Sequence, residues 1–168
     1  MRTLVILYFA SVWSGCAASA RPGAVAQVAP FRDNSITGQI SFTDTKDGVL
    51  VQGEISGLPP RTKHGFHVHE VADCSAPGAA KGHFNPTGHE HGAIYDEVSH
   101  IGDLGNVFAD DNGVAHINVV KKGAHVKKGE TGYVGHSVIV HEGTDDQKSQ
   151  PSGSSGEPAA CGIIVTRS

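Results

Sequence analysis

The chain lacks most of what a nucleic-acid-binding, membrane-spanning or multidomain protein needs. Positive charge is not in surplus: 13 Lys and Arg face 17 Asp and Glu, a formal net charge of −4, so bulk electrostatics give a nucleic-acid partner no support. Long apolar runs are missing as well. The most apolar stretch, Leu4 to Trp13, falls well short of the ~20 residues a spanning helix needs. There is no internal repeat, and no low-complexity tract beyond the short QPSGSSGEP stretch at 150–158. With 168 residues the chain is too short for two comfortable domains and long enough for one sizeable core. Aromatic residues make up only 6 % and cysteine appears 3 times. What is abundant is Gly, at 22, and His, at 11. Many glycines between short Val/Ile runs favour an all-β fold rich in turns.

Residues 1–20 read as an export signal. Arg2 supplies the positive start, Leu4 to Trp13 the apolar run, and Ala18-Ser19-Ala20 a small-residue cleavage site. A second reading competes for the same stretch. Ser14-Gly15-Cys16 resembles a bacterial lipobox, in which Cys16 becomes the lipidated first residue, although Trp13 departs from the aliphatic residue that pattern uses. On either reading the mature chain leaves the cytoplasm, for the periplasm or the exterior. Removing Cys16 leaves Cys74 and Cys161, natural disulfide partners in an oxidising compartment. Two separately buried thiols are the alternative. A bridge across so long a loop is worth on the order of 4–5 kcal/mol in the chain-entropy model.

Residues 21–34 read as a mobile linker, and the domain proper is expected over 35–168. Ile36, Gly38, Ile40 and Phe42 alternate with polar neighbours, and Asp47-Gly48 turns the chain into a second strand over Val49 to Ile55. Leu58-Pro59-Pro60 ends that strand. Further strands are expected at Lys63–Glu70, Val107–Ala109, Val114–Val120, Gly135–His141 and Cys161–Thr166. The pattern, about eight short strands with two long loops, is that of a Greek-key sandwich or flattened barrel.

Histidine placement carries the chemistry. His67 and His69 are two apart, so a strand turns both to one face. The Gly- and Pro-punctuated loop that follows holds His83, His91, His100 and Asp103, a sufficient ligand set for Zn²⁺. A loop of that length is costly to order unless something pins it, and a bound metal would do so. Taken alone, the loop is equally compatible with solvated histidines that do nothing together.

Five motifs in one order resolve this. Gly65-Phe66-His67-Val68-His69-Glu70, Gly82-His83-Phe84-Asn85-Pro86, Gly102-Asp103-Leu104-Gly105-Asn106, Val140-His141-Glu142 and Ala160-Cys161-Gly162 closely resemble the copper/zinc superoxide dismutases. Asp73-Cys74-Ser75-Ala76-Pro77 and Gln150-Pro151-Ser152-Gly153 are more similar to the exported bacterial branch. The resemblance implies copper on His67, His69, His83 and His141, and zinc on His83, His91, His100 and Asp103. His83 is then the catalytic bridge between the ions. It further implies Asp145 as the carboxylate linking His67 to His91, a Cys74–Cys161 disulfide, and dismutation of superoxide to O₂ and hydrogen peroxide. A homodimer is compatible with the family, whose branches pair through different surfaces. His64, His89, His116, His125 and His136 match no ligand position.

One departure stands out. The family usually places an arginine three residues before the second disulfide cysteine, where it draws the anionic substrate to the copper channel. Here that position is Pro158, preceded by Glu157, while Ser152 matches a hydroxyl on the opposite channel wall. Slower turnover is expected, with Lys81 and Lys148 as candidates for replacing the charge. A protein that buffers or presents copper without efficient turnover is the alternative.

Overall fold

The computed structural model describes residues 23–96 and 98–167. The export signal, its cleavage site and Cys16 lie outside these residues. No helix occurs among the described residues, and all strand pairings are antiparallel. The strands are β1 (Ala24–Pro30), β2 (Thr37–Thr45), β3 (Gly48–Ser56), β4 (Lys63–His69), β5 (Asp103–Phe108), β6 (Ala115–Lys121), β7 (Ser137–His141), β8 (Pro158–Ile163) and the short β9 (Val165–Thr166). Eight run in the order β5-β4-β7-β8-β1-β2-β3-β6, with β9 beside β1. This is the expected all-β Greek-key architecture, an almost closed barrel whose free edges are β5 and β6. A groove lined by Leu104, Phe108, His116 and Val119 lies between them.

Alternation builds the core. Ile40, Phe42, Val49, Val51 and Ile55 of the β2–β3 hairpin are fully buried, and Phe66, Val68, Val138 and Val140 meet them from β4 and β7. Burying a side chain of the size of Phe42 stabilises by ~1.5–3 kcal/mol. Its ring meets Tyr133 edge-on, with centroids 5.8 Å apart.

Three expectations need correction. The strand expected from Val107 is β5, which begins at Asp103. The mobile linker at 21–34 is a strand over most of its described length. Ala24, Ala26 and Val28 turn inward and β1 joins both halves of the barrel, pairing with β2 over Ala24–Val28 and with β8 at Ala29 and Pro30. Alanine's small side chain made that alternation easy to miss. The last strand also begins at Pro158, earlier than Cys161, because a proline is tolerated at the first residue of a strand.

Two long loops finish the molecule, 70–102 after β4 and 142–157 after β7. They leave opposite ends of the β4–β7 pair and close over its outer face. The Cys74–Cys161 disulfide, with Cα atoms 5.7 Å apart and 87 positions between them in sequence, ties the first loop to β8. Phe31, Ala80 and Ile139 pack around it. At the far end of that loop, Tyr133 Oη donates to Ile101 O at 2.7 Å and the buried Lys121 Nζ donates to Ser99 Oγ at 2.6 Å.

Candidate metal centre

All seven predicted ligands are buried and fall into two groups that share His83. Within each group the nitrogen and oxygen atoms lie within 4.8 Å of one another.

The first group is His67, His69, His83 and His141. Strand periodicity sets His67 and His69 on the outer face of β4, and His141 ends the neighbouring β7. His69 Nε2 and His141 Nε2 are 3.2 Å apart, and His67 Nδ1 and His83 Nε2 have no hydrogen-bond partner. Each ring is held by its other nitrogen. His67 Nε2 meets Asp145 Oδ2 at 2.9 Å, His69 Nδ1 meets Lys81 O at 2.7 Å, His141 Nδ1 meets Gly156 O at 2.9 Å, and His83 Nδ1 meets Asp103 Oδ1 at 2.9 Å. Such outer contacts fix ring orientation and leave the inner nitrogens as lone-pair donors.

The second group is His83, His91, His100 and Asp103. Asp103 is the first residue of β5, opposite His67 in the β4 ladder. Its Oδ1 is approached by the Nδ1 atoms of His83, His91 and His100 at 2.9, 3.0 and 3.3 Å. Its Oδ2 accepts the backbone N–H groups of Gly92 and His100 at 3.1 and 3.0 Å. His91 Nε2 meets Asp145 Oδ1 at 2.9 Å, so Asp145 touches a ring of each group from behind. Gly153, at φ +64°, lets the second loop lie against this pair. A Cβ there would overlap Asp145 Oδ1 and approach His91 Nε2 to 2.6 Å.

The two groups differ in charge. Burial pushes His67 down to about 3 and His141 to about 4, and lowers His69 as well, with neighbouring imidazoles adding to the effect. These rings are neutral donors at neutral pH. Burial opposes charge on His91 too, but Asp103 and Asp145 outweigh it and raise that ring to about 9. Asp103 lies well below the usual carboxylate range: burial opposes ionisation, and the hydrogen bonds of His100, His83, His91 and Gly92 overcome it. A cation entering the second group would displace a proton already attracted there.

The donor chemistry fits a copper–zinc pair. Four imidazoles suit copper, and three imidazoles with a carboxylate suit zinc. The orphaned inner nitrogens of His67 and His83 fit no protein partner.

Pro158 pairs with His141 across β7 and β8 at a register shift, while Ser152 and Lys148 lie in the second loop. Lys81 contributes its carbonyl to His69 while its side chain is exposed. Sequence reasoning missed the carbonyls of Lys81 and Gly156, which carry no signal because every residue has one. It also missed that His64 is buried, its Nδ1 2.8 Å from His141 O.

Comparison with known proteins agrees with this geometry. The family model for copper/zinc superoxide dismutase matches residues 36–164. The chain is 38 % identical over 138 residues to superoxide dismutase [Cu-Zn] 2 of Aquifex aeolicus (strain VF5), covering 79 % of this chain and 81 % of that protein. It is 38 % identical over 144 residues to the extracellular superoxide dismutase [Cu-Zn] of Brugia pahangi, covering 79 % and 71 %. The crystal structure of the clock protein EA4 superposes with a TM-score of 0.76 at 37 % identity, covering 89 % of this chain and 98 % of that one. The chain belongs to the copper/zinc superoxide dismutase family.

Proposed function

We propose that the protein is an exported enzyme that dismutates superoxide to O₂ and hydrogen peroxide at a copper–zinc pair bridged by His83. The observation carrying this reading is that His83 alone belongs to both donor groups. In this assignment His67, His69, His83 and His141 would hold copper, and His83, His91, His100 and Asp103 would hold zinc. Bound copper supplies one-electron exchange with the substrate, while zinc has no redox chemistry. The chain supplies the rest. Lys81 O and Gly156 O hold the rings of His69 and His141, Asp145 holds those of His67 and His91, and His83 Nε2 takes up and releases a proton.

Pro158 beside His141 brings no charge to the site, so metal binding is expected to be intact and turnover slower and less salt-sensitive than in relatives with a cation there. The same residue favours the second reading, an exported copper buffer. Superoxide consumption by the copper- and zinc-loaded protein decides: a rate no better than hexaaqua copper supports the buffer. Pro158→Arg should raise the rate and its salt dependence, and no change in either removes the explanation from Pro158.

Periplasmic or extracellular location, cleavage or lipidation at Cys16, and a homodimer belong to the same proposal. The relative from Brugia pahangi is named extracellular. Intact mass of the mature N-terminus tests export and lipidation together.

A further inference from the structure

The substrate assigned above is an anion, and the residues flanking the proposed copper ligand His141 are acidic. Glu142 and Glu157 are both exposed and are joined by a backbone hydrogen bond, Glu142 N to Glu157 O at 2.9 Å. A cation reaches this corner from the other end of the chain. β1 pairs with β8 at Ala29↔Cys161 and Pro30↔Ala160, and Phe31 N continues the ladder by donating to Ala159 O at 3.0 Å. Arg32 follows just past the end of β1, while Pro158 follows on the β8 side and is the partner of His141. Asn34 Nδ2 also donates to Ala159 O, at 3.1 Å, and pins the chain on the far side of Arg32. The guanidinium then reaches the residue next to the ligand: Arg32 Nη1 lies 3.6 Å from Glu142 Oε1.

This contact is loose. The two side chains are 59 % and 55 % exposed, so water screens the pair and the planar donor fork of Arg32 is only partly occupied. An anion approaching His141 meets the Arg32 guanidinium as a cation among the acidic Glu142 and Glu157. We propose that Arg32 is the residue that guides anions to the copper end of the site, with Glu142 as the partner that moderates it. This rests on the dismutase reading and adds to it a cation at an otherwise acidic corner. It also explains how an uncharged Pro158 is tolerated, since the cation comes from the segment that follows β1. Lys81 and Lys148 are then not needed for this role.

The test uses azide as the anion, titrated into the copper- and zinc-loaded protein at low ionic strength and followed by the copper absorption band and electron paramagnetic resonance. Arg32→Gln should weaken azide binding by about two- to fivefold, the range of an exposed charge interaction, and flatten its salt dependence. Arg32→Lys should restore part of the loss. Glu142→Gln should tighten azide binding by a similar factor. Both side chains are exposed, and unfolding temperatures of the variants control for structural damage. Unchanged azide affinity in Arg32→Gln and Glu142→Gln overturns the proposal, whatever the rate of turnover. If azide responds as expected but the unmutated protein does not consume superoxide, the dismutase reading fails and the anion-guiding role stands.

Discussion

The two donor groups share one imidazole and are built on different physical terms. In the first, three of the four rings sit on paired strands, β4 and β7, whose backbone is fixed by the barrel whether or not a metal is present. The rings are neutral and held from behind by carbonyl oxygens and Asp145. In the second, His83, His91 and His100 all lie on the 70–102 loop, and a single carboxylate at the start of β5 gathers them. A scaffold of strands pre-positions donors, whereas a loop needs a charge or an ion to converge. The first group should therefore tolerate metal removal, and the second should depend on Asp103 and on its cation.

The strongest way to break this contrast is Asp103→Asn. The substitution leaves one carbonyl oxygen in place of two anionic acceptors, and an amide N–H group in a site where three imidazoles and two backbone donors converge. Breaking a buried charge network of this type costs ~3–5 kcal/mol. Zinc affinity, measured by chelator competition, should fall by about 100-fold or more, beyond the ~10–100-fold typical of outer contacts. Copper uptake by the first group should survive. Equal loss of both metals would show that the strands do not position the first group independently.

Acid and alkali should then act on the imidazoles of the two groups in opposite senses in metal-free protein. His67 and His141 lie at about 3 and about 4 when folded, against an ordinary 6.5, and His69 is lowered too. Over that interval the unfolded chain binds more protons than the folded one, so stability rises with pH and is lost as pH falls below 6.5. His91 lies at about 9 when folded. Its contribution is fully present below 6.5 and is lost as pH rises through 9. Among the imidazoles three act on the acid limb and one on the alkaline limb, and the depressed carboxyls of Asp103 and Asp145 add to the acid limb. Urea unfolding of chelated protein from pH 4 to 9 should therefore show a steeper acid limb. A steeper alkaline limb would reverse the contrast.

The same difference explains what could be read from the sequence. His67 and His69 were legible because a strand's period of two is short-range, and the His83–Asp103 loop because its donors are contiguous. The shared His83 and the role of Asp145 came from motif resemblance, and the structure brings these side chains together. β1 was missed because Ala24 and Ala26 give a weak apolar alternation. Asp103 was expected in a loop, but the backbone makes it the first residue of β5. Arg32 could not be found from local pattern at all, since its partner Glu142 lies far along the chain and the fold alone brings them together.

A smaller effect sharpens the comparison at the far end of the metal loop. Tyr133 is fully buried against Phe42, and its hydroxyl donates to Ile101 O, two residues before Asp103. Tyr133→Phe keeps the ring and its packing but leaves that carbonyl without its partner, which should cost ~1–2 kcal/mol. Because Ile101 belongs to the loop, the loss should appear in the second group first. Zinc release should quicken by a factor of a few, with copper release unchanged. A variant that loses stability while releasing both metals at the original rates would mean that Tyr133 serves the barrel alone, and that Asp103 with its cation orders the loop without help from the core.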